Sequence, residues 1–91
     1  MTPSLKRIAK KLVWWEPPEK ALADPSRLAC QVMVLGTWDD ALQARTALGD
    51  DLFRQALQHA PPGVFDARSW NYWHLMFGMT PVPPLPKRRL A

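Results

Sequence analysis

The sequence predicts an all-α protein: a compact bundle of about five short helices, followed by a proline-rich basic C-terminal tail. Three observations predict it. Apolar residues recur at three- and four-residue spacing, the period of one helix face. Each such run is opened by a capping residue and closed by glycine or proline. No stretch alternates strictly at period two for long. Residues 1–79 are expected to form a single helical domain and residues 80–91 an extended tail.

The first helix is expected over residues 4–15, with Ser4 as N-cap and Leu5, Ile8, Ala9, Leu12 and Val13 on one face. Lys6, Arg7, Lys10 and Lys11 fall mostly elsewhere on the turn, so the helix is basic and amphipathic. Such a helix can dock on a partner, lie on DNA phosphates, or simply pack as a first helix. Pro17 and Pro18 end it, because a residue before proline avoids the α region. Trp14 and Trp15 sit at that end, where one is expected to cover the core. Asp24-Pro25 opens the next helix as N-cap and first helical position. It should run to Leu35, with Leu28, Val32 and Leu35 as a face and Gly36 as a left-handed stop.

Thr37 caps a third helix, with Asp40 three residues on completing a box that has Asp where Glu or Gln is usual. Trp38, Ala41, Leu42, Arg45 and Leu48 share one side of it. Gly49 separates it from a helix over Asp50–His59 that turns Leu52, Phe53, Ala56 and Leu57 inward. Pro61-Pro62-Gly63 breaks the chain. Asp66 then caps a last helix to Phe77, closed by Gly78. The tail TPVPPLPKRRLA has polyproline character and is expected to be extended rather than packed.

Composition narrows the function. A chain of 91 residues, 47% apolar and with five Trp, can build one core and little more. Its single cysteine, Cys30, excludes an intramolecular disulfide framework and lies in the apolar stretch LACQVMVLG, where a buried small side chain is the expected role. No apolar run reaches the roughly 18 residues of a membrane span, and no secretory leader is recognisable, so a cytoplasmic protein without membrane partners is expected. The net charge of +4 is uneven. Lys6, Arg7, Lys10 and Lys11 near the start and Lys87, Arg88 and Arg89 near the end stand against a mildly acidic middle. Basic ends of this kind suit a nucleic-acid or acidic protein surface, or serve only as solvated termini.

Residues that could carry catalysis are sparse. His59 and His74 lack a nucleophile or acid at a spacing that would engage them, and one Cys with two scattered His does not give zinc-site spacing. The pairs Asp39-Asp40 and Asp50-Asp51 begin helices, where the dipole accounts for them. The chain is not expected to be an enzyme or to hold a cofactor or metal. The tight Gly49 turn between two helices raises helix-turn-helix binding, but a second helix opening on two aspartates would repel phosphate. The closing helix is more informative. Trp70, Trp73, His74 and Phe77 can line one face while Tyr72 points elsewhere. Either the helix is internal, or part of it is an apolar patch that waits for a partner. Trp70, Tyr72, Trp73, His74 and Phe77 are therefore the candidate partner-binding residues.

LVWW at 12–15, GTWDD at 36–40, the Leu48-Gly49-Asp50 junction and SWNYWHLMFGM at 69–79 together resemble a family of small bacterial antitoxin-like proteins encoded beside AbiEii-type nucleotidyltransferase toxins. The resemblance covers residues 12–79. It implies a protein that neutralises a nucleotidyltransferase-type toxin by occluding its active site, and it supplies no catalytic residue. A homodimer and operator DNA are further partners the sequence allows. The alternatives are a DNA-binding transcriptional regulator using the basic termini, and a small accessory or assembly subunit.

Overall fold

The structure, a computed structural model, describes residues 3–86. Among them six helices and no strand are present: α1 (Pro3–Leu12), α2 (Pro18–Leu22), α3 (Pro25–Leu35), α4 (Trp38–Leu48), α5 (Asp50–Gln58) and α6 (Ala67–Met76). The all-α class is as predicted. The chain measures 35 × 33 × 19 Å, and the shortest dimension is two helix diameters, so the bundle is two layers thick.

The helix starts follow from their caps. The Asp24 side chain accepts from Arg27 N at 3.2 Å, and Asp66 accepts from Ser69 N at 2.7 Å. At Thr37 the box is complete: Asp40 N donates to Thr37 Oγ1 and Thr37 N donates to Asp40 Oδ2, both at 3.1 Å. Each cap satisfies helix-end N–H groups that have no intrahelical partner. Gly49 and Gly78 hold φ of +89° and +68°, which explains glycine at both stops.

Gly36 differs from expectation. Its backbone is extended (φ −73°, ψ 157°), not left-handed. Close approach, rather than a positive φ, accounts for glycine here: a Cβ would stand 2.7 Å from the Val32 carbonyl oxygen. The α1 helix also ends earlier than predicted, at Leu12. The chain keeps one more helical bond, Val13 N to Ala9 O at 2.8 Å, and then turns into Pro17. The short α2 goes beyond the expectation from the sequence, in which Pro17-Pro18 only ends a helix. Pro18 is in fact a first helical residue, where its missing N–H costs nothing.

The core centres on α3, which buries Leu28, Ala29, Cys30, Val32 and Met33 and packs chiefly on α5. Phe53 of α5 is completely enclosed, with ring centroids 6.3 Å from both Trp73 and Phe77. α1 contributes Leu5, Ile8, Ala9 and Leu12. One expectation fails in this packing: neither Trp14 nor Trp15 covers the core, because Val13 takes that position. The side of α4 shared by Trp38, Ala41, Leu42, Arg45 and Leu48 is divided: Trp38 and Leu42 face outward, while Ala41 is buried and Leu48 packs against the core. The helix also buries Ala44 and Asp40, whose small size lets it approach α1 and α3 closely. Leu35 is likewise exposed.

The tail needs a similar correction. Residues 80–86 form no helix or strand, as expected, but they are packed. Trp70 Nε1 donates to Pro83 O at 2.8 Å, Gly63 N donates to Pro86 O at 3.3 Å, and Val82 and Leu85 lie against the core. One strap thus reaches both donors.

Candidate interaction surface

The α6 side chains divide by burial. Trp70, Trp73 and His74 are buried, Phe77 is half-buried, and Tyr72 is 44% exposed. As a set, they are not a free partner-binding surface; four of the five hold the fold together. Trp73 Nε1 donates to Met33 O at 2.9 Å, a carbonyl in the last turn of α3 with no intrahelical donor left to it. Trp70 packs edge-on against Phe65 at 5.4 Å and lies 4.2 Å from the His74 ring. His74 Nδ1 is 2.7 Å from Trp70 O. A carbonyl can only accept, so that nitrogen carries the proton. Phe77 stacks on Trp73 and is covered by the guanidinium groups of Arg45 and Arg54, 5.1 and 5.4 Å from its ring centre.

Of the five, Tyr72 alone looks outward, and its neighbour across the surface is Trp38 of α4. Tyr72 and Trp38 flank a groove of about 250 Å³ between the start of α4 and α6, floored by Met33 and Trp73. Trp38 is 61% exposed. Leu42 follows one turn along α4, and Leu75 and Met76 one turn along α6; all three are exposed. The groove thus has an aromatic residue on each wall, with Arg68, Ser69 and Thr37 also lining it. Its base is firm. The Thr37–Asp40 box fixes the first turn of α4, and the Lys11 ammonium bonds Asp40 at 2.7 Å. Burial raises the Asp40 carboxyl, but the bonds from Lys11 and Thr37 outweigh it and hold the group below the usual carboxylate range. Nearby, the Arg45 guanidinium holds Asp50 low in the same way, bonding it at 2.8 and 3.1 Å.

The predicted basic residues of α1 are exposed, but they are not equivalent. Arg7 donates to Gln43 at 2.9 Å and Lys11 is paired with Asp40. The side chains of Lys6 and Lys10 have no hydrogen-bond or ion-pair partner among the described residues. Lys87, Arg88 and Arg89 lie outside the described residues.

A larger cavity of about 510 Å³ opens beside the strap, lined by Leu57, Trp70, His74, Met79 and several prolines. His74 is the one titratable group on its wall. His59 is exposed at the far end of α5. Cys30 is buried as expected, its thiol pushed up to about 11 by burial with a further contribution from Asp24, so it is not a thiolate at neutral pH. Among the described residues no group of three or more His, Cys, Asp or Glu could hold a metal ion, and no helix is long and apolar enough to cross a membrane. No family model, curated protein or solved structure matches the chain.

Proposed function

We propose that this protein is an antitoxin-like binding protein that neutralises a nucleotidyltransferase-type toxin by covering its active site, and that the Trp38–Tyr72 groove is the face that docks. The observation that carries this reading is the exposure of two large aromatics on opposite walls of one groove, in a chain that buries Trp70, Trp73 and Phe53. Tryptophan and tyrosine anchor interfaces because each offers much rigid contact area for few rotatable bonds. Both residues stand on helices whose starts are capped, so little is ordered on binding. The motif resemblance over residues 12–79 supplies the kind of partner. The mechanism is steric: the indole and phenol enter an apolar recess at the mouth of the enzyme, and the helices behind them exclude its substrate.

The test is co-expression with a nucleotidyltransferase toxin, followed by co-purification and an assay of nucleotidyl transfer. A stable complex with loss of transfer activity is expected. Trp38→Ala and Tyr72→Ala should each weaken binding at least about tenfold, with the melting temperature nearly unchanged because both rings are already exposed. Absence of association at micromolar concentrations would defeat the reading.

A further inference from the structure

The groove leaves out two further exposed aromatic residues, one of them the most exposed among the described residues. Trp14 is 76% and Trp15 55% exposed, with ring centroids 5.9 Å apart and nearly perpendicular planes. They stand on a short turn pinned at both sides. Val13 is buried before them, and after them Glu16 is bonded to Arg27 and leads into Pro17. The rings are therefore held out on a fixed support rather than waving on a loop.

Their neighbours are cationic. Along α1, Lys6 and Lys10 stand four residues apart, as do Arg7 and Lys11, so two cationic rows run side by side, and the chain leads from the end of that helix through Val13 directly into Trp14 and Trp15. The side chains of Lys6 and Lys10 have no hydrogen-bond or ion-pair partner among the described residues. The carboxylates of the elements around it are mostly spoken for: Asp40 by Lys11, Asp39 by Gln43, Glu16 by Arg27. Glu19 of α2 is exposed, beside the equally exposed Lys20. The surface is thus positive, with aromatic faces at one end.

We infer that this face of α1 and the following turn bind single-stranded nucleic acid, with Lys6 and Lys10 on phosphates and Trp14 and Trp15 stacked on unpaired bases. Ammonium groups tracking a backbone beside aromatic platforms are the combination that single strands require. A duplex keeps its bases stacked inside and offers nothing to the two indoles. Perpendicular rings suit bases splayed apart, as in a loop or a free end, better than a continuous stack. A lipid surface fits poorly, because the apolar side of α1 (Leu5, Ile8, Ala9 and Leu12) is buried in the core and cannot enter a bilayer. The inference does not depend on the toxin-binding reading, which uses a different groove.

The experiment is fluorescence polarisation of labelled 15-nucleotide probes (oligo-dT, oligo-U and a mixed-sequence duplex) against the full-length protein, over a range of salt. The single strands should bind tighter than the duplex and quench tryptophan fluorescence. A difference between oligo-dT and oligo-U would say which sugar is preferred. Replacing Lys6 and Lys10 together with alanine should lower the salt slope by roughly 1.4, at about 0.7 per phosphate contact. Trp14→Ala and Trp15→Ala should each weaken single-strand binding about tenfold or more. All these side chains are exposed, so circular dichroism should show the variants folded. Three results would overturn the inference: no binding of either single strand, equal binding of duplex and single strand with neutral tryptophan variants, or equally effective competition by poly-glutamate. The last would assign the face to an acidic protein instead.

Discussion

Trp73→Ala is expected to remove about 3–5 kcal/mol of stability, a large part of the ~5–15 kcal/mol that holds a domain of this kind folded. Two losses combine. The indole is buried between Phe53 and Phe77, and its removal leaves a cavity in the most enclosed part of the core. Its N–H is also the donor for the Met33 carbonyl at the end of α3. Trp73→Phe separates the two effects. It keeps most of the ring and leaves the carbonyl unpaired, at about 1–3 kcal/mol. Urea denaturation of both variants checks the order. A shift below about 1 kcal/mol for the alanine variant would show that the indole contributes little to the core, and equal losses in the two variants would assign its contribution to the N–H rather than to packing.

The second large effect is at Asp40. Its carboxylate is 1% exposed and joins three things: the Thr37 N–H, the Lys11 ammonium and the first turn of α4. Asp40→Ala should cost about 2 kcal/mol near neutral pH. Loss of the cap accounts for about 1 kcal/mol, and the broken pair for most of the rest. The pair contributes less than a fully buried one, because the Lys11 side chain is 46% exposed and regains water. The pH dependence follows from the direction of the shift. The folded-state carboxyl is held below its ordinary value, so its stabilisation is complete above the unfolded range near pH ~4 and is lost as pH falls through the folded value. Asp50, held low by Arg45, and Asp66, held low by the Ser69 N–H, add in the same direction. Thermal melts should therefore be flat from about pH 7 to 5 and fall steeply below about pH 4. For Asp40→Asn the acid fall should be shallower, its curve meeting that of the unaltered protein at low pH. A parallel fall would mean that Asp40 is not one of the titrating groups that matter.

The caps were legible in the sequence because they are local. At Asp24, Thr37 and Asp66 the acceptor and the N–H it satisfies are three residues apart, so neither depends on the rest of the fold. Burial was less legible because it is decided between helices. On α4 the side that carries Trp38, Ala41 and Leu42 does not turn inward as a unit: the helix is rotated so that Ala41 and Ala44 are buried and the two large residues are left outside, because the small residues permit closer packing on neighbouring helices. The same reason explains the candidate surface. Tyr72 was named from the sequence as one of five aromatic-helix residues, but its separation from Trp70 and Trp73 depends on which side of α6 meets α3 and α5. Trp38 was missed as a groove wall. The available signal was its place in the first turn of a capped helix, beside two aspartates, where residues stand at the rim of a bundle. The tail misled for a further reason. Proline content predicts its extended form, but not that an indole 13 residues earlier in the chain would hold its backbone.

The two buried indoles of α6 hold very different things, and this makes them separate clocks of opening. The Trp73 N–H reaches 40 residues back to α3, across the centre of the molecule, and can be freed only when the bundle itself comes apart. The Trp70 N–H holds Pro83 in a strap without secondary structure, which can lift while the helices stay folded. Their solvent exchange should therefore differ. The Trp70 indole proton should exchange fast and respond little to substitutions such as Asp40→Ala. The Trp73 proton should exchange slowly, with a protection that follows global stability. In one proton spectrum the first signal times the release of the strap around Pro83 and the second the lifetime of the whole fold.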